Sequence, residues 1–120
     1  MKKWEIWDIP QKKARKISDP AQPLDKRRNQ RPYLVISPDS FLASGGAATC
    51  VPIQTDPPVG AFAVVSLDAL STGLKTDSFA VCSQIVSVPQ SSFGTKLGAV
   101  RFGRITDDVG SALKDYFDLW

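Results

Sequence analysis

Histidine is absent from this chain of 120 residues. Histidine is the side chain that most often moves protons in catalysis near neutral pH, so mechanisms that need an imidazole are excluded. Cysteine is also scarce: Cys50 and Cys82 are the two examples. Two cysteines without histidine cannot build the usual tetrahedral zinc site, and each lies in a β-like apolar run. We therefore interpret both as reduced, buried side chains, and expect neither a metal nor a cofactor.

Long hydrophobic runs are also missing, because no stretch approaches the ~20 apolar residues of a membrane-spanning helix. The N-terminal residues 1–8 place an acid inside what would be the apolar part of a secretion signal, so no signal peptide is expected. Hydrophobic residues make up 42% and charged residues 22% of the chain, which is typical of a soluble globular protein. The prediction is one domain over residues 1–120, located in the cytoplasm without a membrane partner.

Positive charge is concentrated in one segment. The whole chain carries a net charge of +3, but residues 10–31 contain eight basic and two acidic residues, a local net charge of +6 that leaves −3 for the remainder. Residues 10–30 also contain three prolines and few apolar side chains, which predicts a mobile basic loop. Such a block is typical of a surface that binds a polyanion, although a loop that only aids solubility has the same composition.

Alternating apolar residues and β-branched clusters predict strands along most of the chain. The predicted strands cover residues 3–9, 32–37, 48–53, 61–67, 78–88 and 96–102. Ser37 is the predicted N-cap of a short helical turn, and Thr106 is the predicted N-cap of a C-terminal helix. That helix has one apolar face, suited to the core or to a dimer surface, formed by Val109, Ala112, Leu113, Tyr116, Phe117 and Trp120. The sum is a mainly β fold with short helices, a small bent antiparallel sheet or barrel closed by the C-terminal helix.

The order of several motifs then points to a family. WEIWDI, RPYLVISPDSF, CVPIQTDPP, LKTDSFAVCSQIVSV and KLGAV follow one another along the chain. In this order they resemble the MazF/PemK/Kid toxins of bacterial type II toxin–antitoxin systems. The resemblance implies an SH3-like or CcdB-like barrel, a homodimer, and metal-independent cleavage of single-stranded RNA or mRNA. It also implies an antitoxin partner that covers the RNA-binding face, and DNA binding by the toxin–antitoxin pair.

RNA carries its own nucleophile, because the 2′-OH can attack the neighbouring phosphate. The enzyme must stabilise the extra negative charge and assist two proton transfers. By the resemblance, Arg31 matches the arginine that precedes the proline of the second strand and contacts the scissile phosphate. Its guanidinium offers a fixed fork of donors but cannot act as an ordinary base.

The proton acceptor stays open at this point. Relatives often have a threonine two residues after the proline of the third strand, and that position holds Gln54, with Thr55 next. Either Gln54 replaces the hydroxyl with an amide, or a bulge re-aims Thr55, because a shift by one residue turns a side chain to the other face. Asp56 is close enough in sequence to be a further base candidate.

The remaining candidates would bind RNA rather than react with it. Gln84 matches a glutamine that the family uses for RNA contact, and Ser83 precedes it. Arg27, Arg28 and Lys75 would hold phosphates. Asp56, near the third strand, would assist RNA binding. Trp4, Trp7 and Tyr33 could stack on bases, although strand aromatics more often lie in the core.

Three positions of the predicted fifth strand also depart from the family pattern. An acid/base pair of one branch is replaced by Val81 and Ser83, and a common arginine by Val86. These departures leave two alternatives to cleavage open. One is an RNA-binding protein of the same fold without activity. The other is a DNA gyrase poison like CcdB, since the chain ends in aromatic residues.

Overall fold

The computed structural model describes residues 1–10, 30–57 and 60–120. The bulk of the predicted basic loop, residues 11–29, lies outside these ranges, whereas Pro10 and Gln30 belong to strands. The elements run in the order β1 (Glu5–Pro10), β2 (Gln30–Val35), α1 (Asp39–Ala43), β3 (Ala48–Gln54), β4 (Val64–Leu67), α2 (Ala69–Thr72), β5 (Ser78–Val81), β6 (Val86–Val88), β7 (Lys96–Ala99) and α3 (Arg104–Phe117), with a 3-10 turn at Gln90–Ser92.

The strands form one curled antiparallel sheet in the order β4-β5-β3-β2-β1-β7. β6 pairs with β3 as well, along the edge that β3 shares with β5. Helix α3 packs against β4. The predicted fold class, a mainly β bent barrel with short helices and a C-terminal helix, is confirmed. Among the helices of the described residues, none has the length and apolar character needed to cross a lipid bilayer.

Side chains on the two faces of the sheet build separate apolar cores, as alternation along a strand requires. On one face, Ile6, Leu34 and Val51 pack with Ile105 and Val109 of α3. On the other face, Ile9 and Tyr33 pack with Cys50 and Val88. Each fully buried aliphatic side chain contributes about 1.5–3 kcal/mol of transfer free energy. The two cores hold the central strands rigid, and these strands carry the candidate site.

The cysteines belong to different cores. Cys50 lies in the Tyr33 core, Cys82 lies in the α3 core, and both are free and buried. The interpretation of both as buried free thiols is confirmed. Burial raises the pKa of Cys50 to about 12 and that of Cys82 to about 11. The reactive thiolate is therefore almost absent at neutral pH.

We expect neither thiol of the folded protein to react with an aromatic disulfide reagent at neutral pH within the time that a free thiol needs. Both should react once the protein is unfolded in guanidinium chloride. Absorbance of the released thiolate measures this directly. Rapid reaction of one equivalent in the folded state would contradict the burial of both side chains.

The predicted strand over residues 78–88 is wrong as a single strand. It is divided into β5 and β6 by a turn at residues 82–84, in which Gln84 N donates to Val81 O at 3.1 Å. Ala80 pairs with Ile53, and Val86 pairs with Cys50. Between these two pairs the chain advances six residues from β5 to β6, whereas β3 advances only three. The surplus residues leave the ladder as the turn, and Cys82 N donates instead to Ala63 O at 3.0 Å. The sheet thereby splits beside β3.

Two predicted N-caps are also corrected. Helix α3 begins at Arg104 rather than at Thr106, and Thr106 lies in its first turn. The Thr106 hydroxyl accepts from Gly103 N at 3.1 Å and donates to Gly103 O at 3.0 Å, so it stabilises the same helix end from inside. Ser37 does not cap α1, because its hydroxyl accepts a 2.6 Å hydrogen bond from Thr49 N and so ties the segment after β2 to β3.

Candidate active site

Strand register places two predicted catalytic residues on one face of the sheet. Tyr33 of β2 faces Pro52 of β3, and continuing that register by two residues puts Arg31 opposite Gln54. Side chains two residues apart on a strand share a face, so Arg31 and Gln54 lie on the face that carries Tyr33. On the other side of Arg31 is Ile9 of β1, its direct partner. This position, where β2 begins and β3 ends, is called the Arg31 end of the sheet.

Gln54 is the chemically unusual residue of this end. Its side-chain Nε2 is buried and has no hydrogen-bond partner among the described residues. A buried donor without a partner costs about 1–3 kcal/mol, so folded proteins rarely keep one without a reason. Its cross-strand neighbour on β5 is Phe79, a half-buried aromatic that the sequence analysis did not select. The position of Phe79 beside Gln54 follows only from the pairing of β5 with β3. The prediction of one continuous strand over residues 78–88 did not give that pairing.

Thr55 and Asp56 lie beyond the last residue of β3. Both are exposed, and the chain bends at both positions. Because Thr55 lies beyond the end of the strand, its hydroxyl need not point to the face opposite Gln54. The Arg31 end thus offers a guanidinium, an amide, a hydroxyl and a carboxylate within a few residues of adjacent strand ends.

The other predicted contacts are distributed around β5. This strand begins beside the last residues of β3, and exposed Lys75 comes three residues before it. Ser83 and Gln84 are half-buried in the turn between β5 and β6, beside the middle of β3. Val81, which replaces an acid/base residue of some relatives, is fully buried. Arg27 and Arg28 lie outside the described residues.

The aromatic candidates divide by burial. Tyr33 is buried in the core, so stacking on a base through its ring is excluded. Trp4 and Trp7 are partly buried and pack against core residues, and Trp7 Nε1 donates to Glu5 Oε1 at 3.0 Å. These contacts make both tryptophans part of the framework.

Two carboxylates have shifted pKa values, and both are engaged elsewhere. Burial acts to raise the pKa of Glu5, but hydrogen bonds from Trp7 and Lys96 outweigh it and leave the pKa below its usual value. A hydrogen bond from the Ser71 side chain, with one from the Ser71 backbone, lowers the pKa of Asp68, which caps α2. A lowered pKa makes a carboxylate a weaker base, so neither acid is suited to accept the 2′-OH proton. In the three described ranges, no three His, Cys, Asp or Glu side chains gather as metal ligands would.

Comparison with known proteins identifies the type of molecule to which this site belongs. A family model described as the PemK-like, MazF-like toxin of type II toxin–antitoxin systems matches residues 8–117. Among curated protein sequences, none matches the chain.

Solved structures share the fold. An endoribonuclease in complex with its cognate antitoxin from a mycobacterial species is 12% identical, with a TM-score of 0.71 over 100% of this chain and 97% of that one. The Mycobacterium tuberculosis toxin MazF-mt6 is 24% identical, with a TM-score of 0.67 over 77% of this chain and 90% of that one. A MazE–MazF structure from Deinococcus radiodurans is 16% identical, with a TM-score of 0.70 over 100% and 97% of the two chains.

The curled sheet with its C-terminal helix is thus the fold of small barrel toxins. Since the family model spans most of its length, the chain belongs to the PemK-like, MazF-like toxins of type II toxin–antitoxin systems. The assignment made from the order of sequence motifs is confirmed.

Proposed function

We propose that this toxin is an endoribonuclease that cleaves single-stranded RNA, mRNA included, without a metal ion and through the 2′-OH of its substrate. The proposal is supported by the family assignment and by the register of β2 and β3, which, extended by two residues from the Tyr33–Pro52 pair, puts Arg31 and Gln54 on one face. A guanidinium and an amide that share one face of a sheet are both hydrogen-bond donors. Such a pair suits a phosphate that gains negative charge.

The reaction is a transesterification. The 2′-oxygen loses its proton and bonds to the adjacent phosphorus, while the bond from phosphorus to the 5′-oxygen breaks and that oxygen takes up a proton. The products are a 2′,3′-cyclic phosphate and a 5′-OH end. Arg31 binds two non-bridging phosphate oxygens and stabilises the phosphorane, and one well-placed donor of this kind is worth about 3–4 kcal/mol.

Gln54 and Thr55 serve the same step at the end of β3. The Gln54 amide donates to a phosphate or sugar oxygen, which gives its buried Nε2 the partner that it lacks among the described residues. An amide cannot accept the 2′-OH proton at neutral pH, so proton transfer falls to the Thr55 hydroxyl, relayed to solvent or to Asp56. Lys75, Ser83 and Gln84 contact the RNA on either side, together with Arg27 and Arg28.

The direct test is incubation of the purified toxin with a mixed-sequence RNA in EDTA, with both product ends mapped. We expect cleavage with 2′,3′-cyclic phosphate and 5′-OH ends. Intact RNA, with folded toxin free of antitoxin, would sink the catalytic proposal and leave RNA binding without cleavage as the function. The observation that favours this second candidate is the complete burial of Val81 at an acid/base position of some relatives.

Gln54 gives a second test, because replacing it should separate stability from activity. In Gln54→Met, the buried unsatisfied donor is lost while the volume is kept, so we expect the free energy of unfolding to rise by about 1 kcal/mol. We expect the cleavage rate to fall by about 100-fold, since a donor to the transition state is lost. Denaturant unfolding and single-turnover cleavage measure the two effects.

Thr55→Ala is the matched control for Gln54→Met. Thr55 is exposed, so its removal should change the unfolding free energy by less than about 0.5 kcal/mol. Full activity of Gln54→Met together with inactivity of Thr55→Ala would assign catalysis to the hydroxyl alone. A large destabilisation by Gln54→Met would show that its amide has a structural partner.

The same proposal includes the setting of the reaction. The toxin acts in the cytoplasm as a single domain over residues 1–120, forms a homodimer, and is neutralised by a cognate antitoxin. Support for the antitoxin comes from the family assignment and from the solved MazE–MazF pair of the same fold. Size-exclusion chromatography with light scattering tests the dimer, and co-expression with the neighbouring open reading frames tests the antitoxin.

A further inference from the structure

Phe79 is an aromatic residue of the sheet that the apolar cores do not use. The other partly buried aromatic side chains of the described ranges are Trp4, Trp7 and Phe93, and each packs against a core. Phe79 is half-buried on β5, yet none of the cores formed by the described residues includes it. A large apolar side chain that contributes to none of these cores is available to bind a partner molecule.

Strand pairing puts Phe79 on the face of the sheet that carries the catalytic candidates. Ala80 and Ile53 pair with each other, and both lie in the core against which α3 packs. The next pair along is Phe79 with Gln54, and alternation places this pair on the opposite face. That face also carries Arg31, by the β2–β3 register extended by two residues.

One row of residues therefore crosses the sheet from β2 to β5. Arg31, Gln54 and Phe79 occupy three neighbouring strands, β2, β3 and β5. Because neighbouring strands lie about 4.7–4.9 Å apart, the row spans about 10 Å. A phosphate-binding arginine and an aromatic ring at this separation match the two ends of one nucleotide, its phosphate and its base.

The neighbours of Phe79 on both sides suit a bound nucleotide. On β3, the Gln54 Nε2 is buried and has no hydrogen-bond partner among the described residues. An amide that donates to a phosphate or sugar oxygen there brings the base of the same nucleotide towards Phe79. On β4, the partner of Phe79 is Ser66, which is small and exposed, so this side of the ring has room for a base with two fused rings.

We propose that Phe79 stacks on a base that flanks the scissile phosphate, and that this stacking makes the toxin prefer a purine there. Every base can stack on an aromatic ring, and differences in stacking strength produce base preferences. A purine offers a larger face than a pyrimidine, so it gains more. The inference rests on the endoribonuclease proposal above and adds a determinant of where the enzyme cuts. Phe79 acts as a specificity residue and contacts no reacting atom.

The first test uses RNA substrates that differ only at the two nucleotides flanking the mapped cut site. At one of these positions, we expect kcat/KM of the unsubstituted toxin to be about tenfold higher for a purine than for a pyrimidine. Phe79→Leu keeps an apolar side chain but has no aromatic face, so it should lose about 10–100-fold in kcat/KM for the purine substrate. Phe79→Trp should retain the preference.

An abasic nucleotide tests stacking from the side of the substrate, without changing the fold. Removal of the preferred base should lower kcat/KM of the unsubstituted toxin about as much as Phe79→Leu does. Phe79→Leu and the unsubstituted toxin should then cleave the abasic substrate equally, because the two changes remove the same contact.

A second readout detects stacking without cleavage. A series of 2′-O-methyl oligonucleotides, which have no free 2′-OH, carries the fluorescent base 2-aminopurine at each position in turn. Its fluorescence falls when the base stacks. At one position, the fluorescence should fall on binding to the unsubstituted toxin, and the decrease should be at least twofold smaller with Phe79→Leu at saturating protein.

Phe102→Leu is the matched control for the loss of one phenyl ring. Phe102 is 88% exposed and follows β7, whose last residue, Ala99, pairs with Glu5 at the start of β1. Arg31 instead pairs with Ile9 near the end of β1, so Phe102 lies beyond the opposite end of this strand. Base preference and fluorescence should be unchanged in Phe102→Leu. Circular dichroism and urea unfolding establish that both leucine variants are folded.

Failure of this proposal is distinguishable from failure of the catalytic one. An inactive toxin whose 2-aminopurine signal depends on Phe79 would overturn the endoribonuclease proposal alone. An active toxin without a purine preference at either flanking position would overturn the stacking proposal alone. An unchanged preference in folded Phe79→Leu, or full activity on the abasic substrate, would overturn it as well.

Discussion

Arg31→Ala is expected to lower the rate of RNA cleavage by about 10²–10³-fold. The substitution removes both the charge and the forked donors that stabilise the phosphorane, and the loss of one such donor alone has an effect of this size. Arg31 is half-buried near the start of β2, where it pairs with Ile9 of β1. The fold should therefore survive its loss. Single-turnover cleavage of an oligonucleotide that contains the mapped cut site measures the effect.

Two further variants separate the possible roles of Arg31. Arg31→Lys keeps the charge but loses the bidentate geometry, so it should recover only part of the rate. Arg101→Gln changes an exposed arginine far along the chain and should retain full activity. Equal activity of Arg31→Ala and the unsubstituted toxin, with both folded, would show that the guanidinium does not stabilise the transition state.

Gly98→Ala is expected to destabilise the fold by about 3 kcal/mol or more. A Cβ at this position would collide with the carbonyl oxygen of Thr72, the last residue of α2. The obstacle is backbone, so it cannot rotate away as a side chain would, and β7 or α2 must shift. Gly98 also faces Ile6 of β1, so a shift of β7 would disturb a core strand. Urea unfolding followed by circular dichroism measures the loss.

Gly110→Ala is the matched control for Gly98→Ala. Gly110 lies within α3, and a Cβ there has open space around it among the described residues. The same added methyl group should therefore stabilise the protein by about 0.5–1 kcal/mol through helix propensity. A Gly98→Ala variant as stable as the unsubstituted protein would contradict the close approach of α2 to β7.

Much of the fold could be predicted because its determinants are local. Alternation placed β1, β2, β3 and β7 within a few residues of their observed bounds, and the apolar face of α3 was evident from Val109 and Ala112. The division of residues 78–88 could not be predicted, since β-branched and aromatic residues that favour strands lie on both sides of Ser83 and Gln84. The break depends on how β5 follows β4 while β6 returns to β3, which is a property of the curled sheet.

The candidate residues were chosen from sequence motifs, whereas their environment depends on the fold. RPYLVISP made Arg31 a candidate, and the β2–β3 register, extended by two residues, puts Gln54 on the same face. The buried, unpartnered Nε2 of Gln54 depends on packing from several strands, and no local pattern encodes it.

One measurement tests the central claim most directly. After the cut site is mapped, the toxin is incubated in EDTA with the same oligonucleotide carrying a single 2′-deoxy substitution on the nucleotide that supplies the attacking oxygen. If the 2′-OH is the nucleophile, cleavage at that position should vanish while binding of the oligonucleotide is kept. Cleavage of the 2′-deoxy substrate at the rate of the unmodified RNA would contradict the account, because the attacking oxygen would then come from another source.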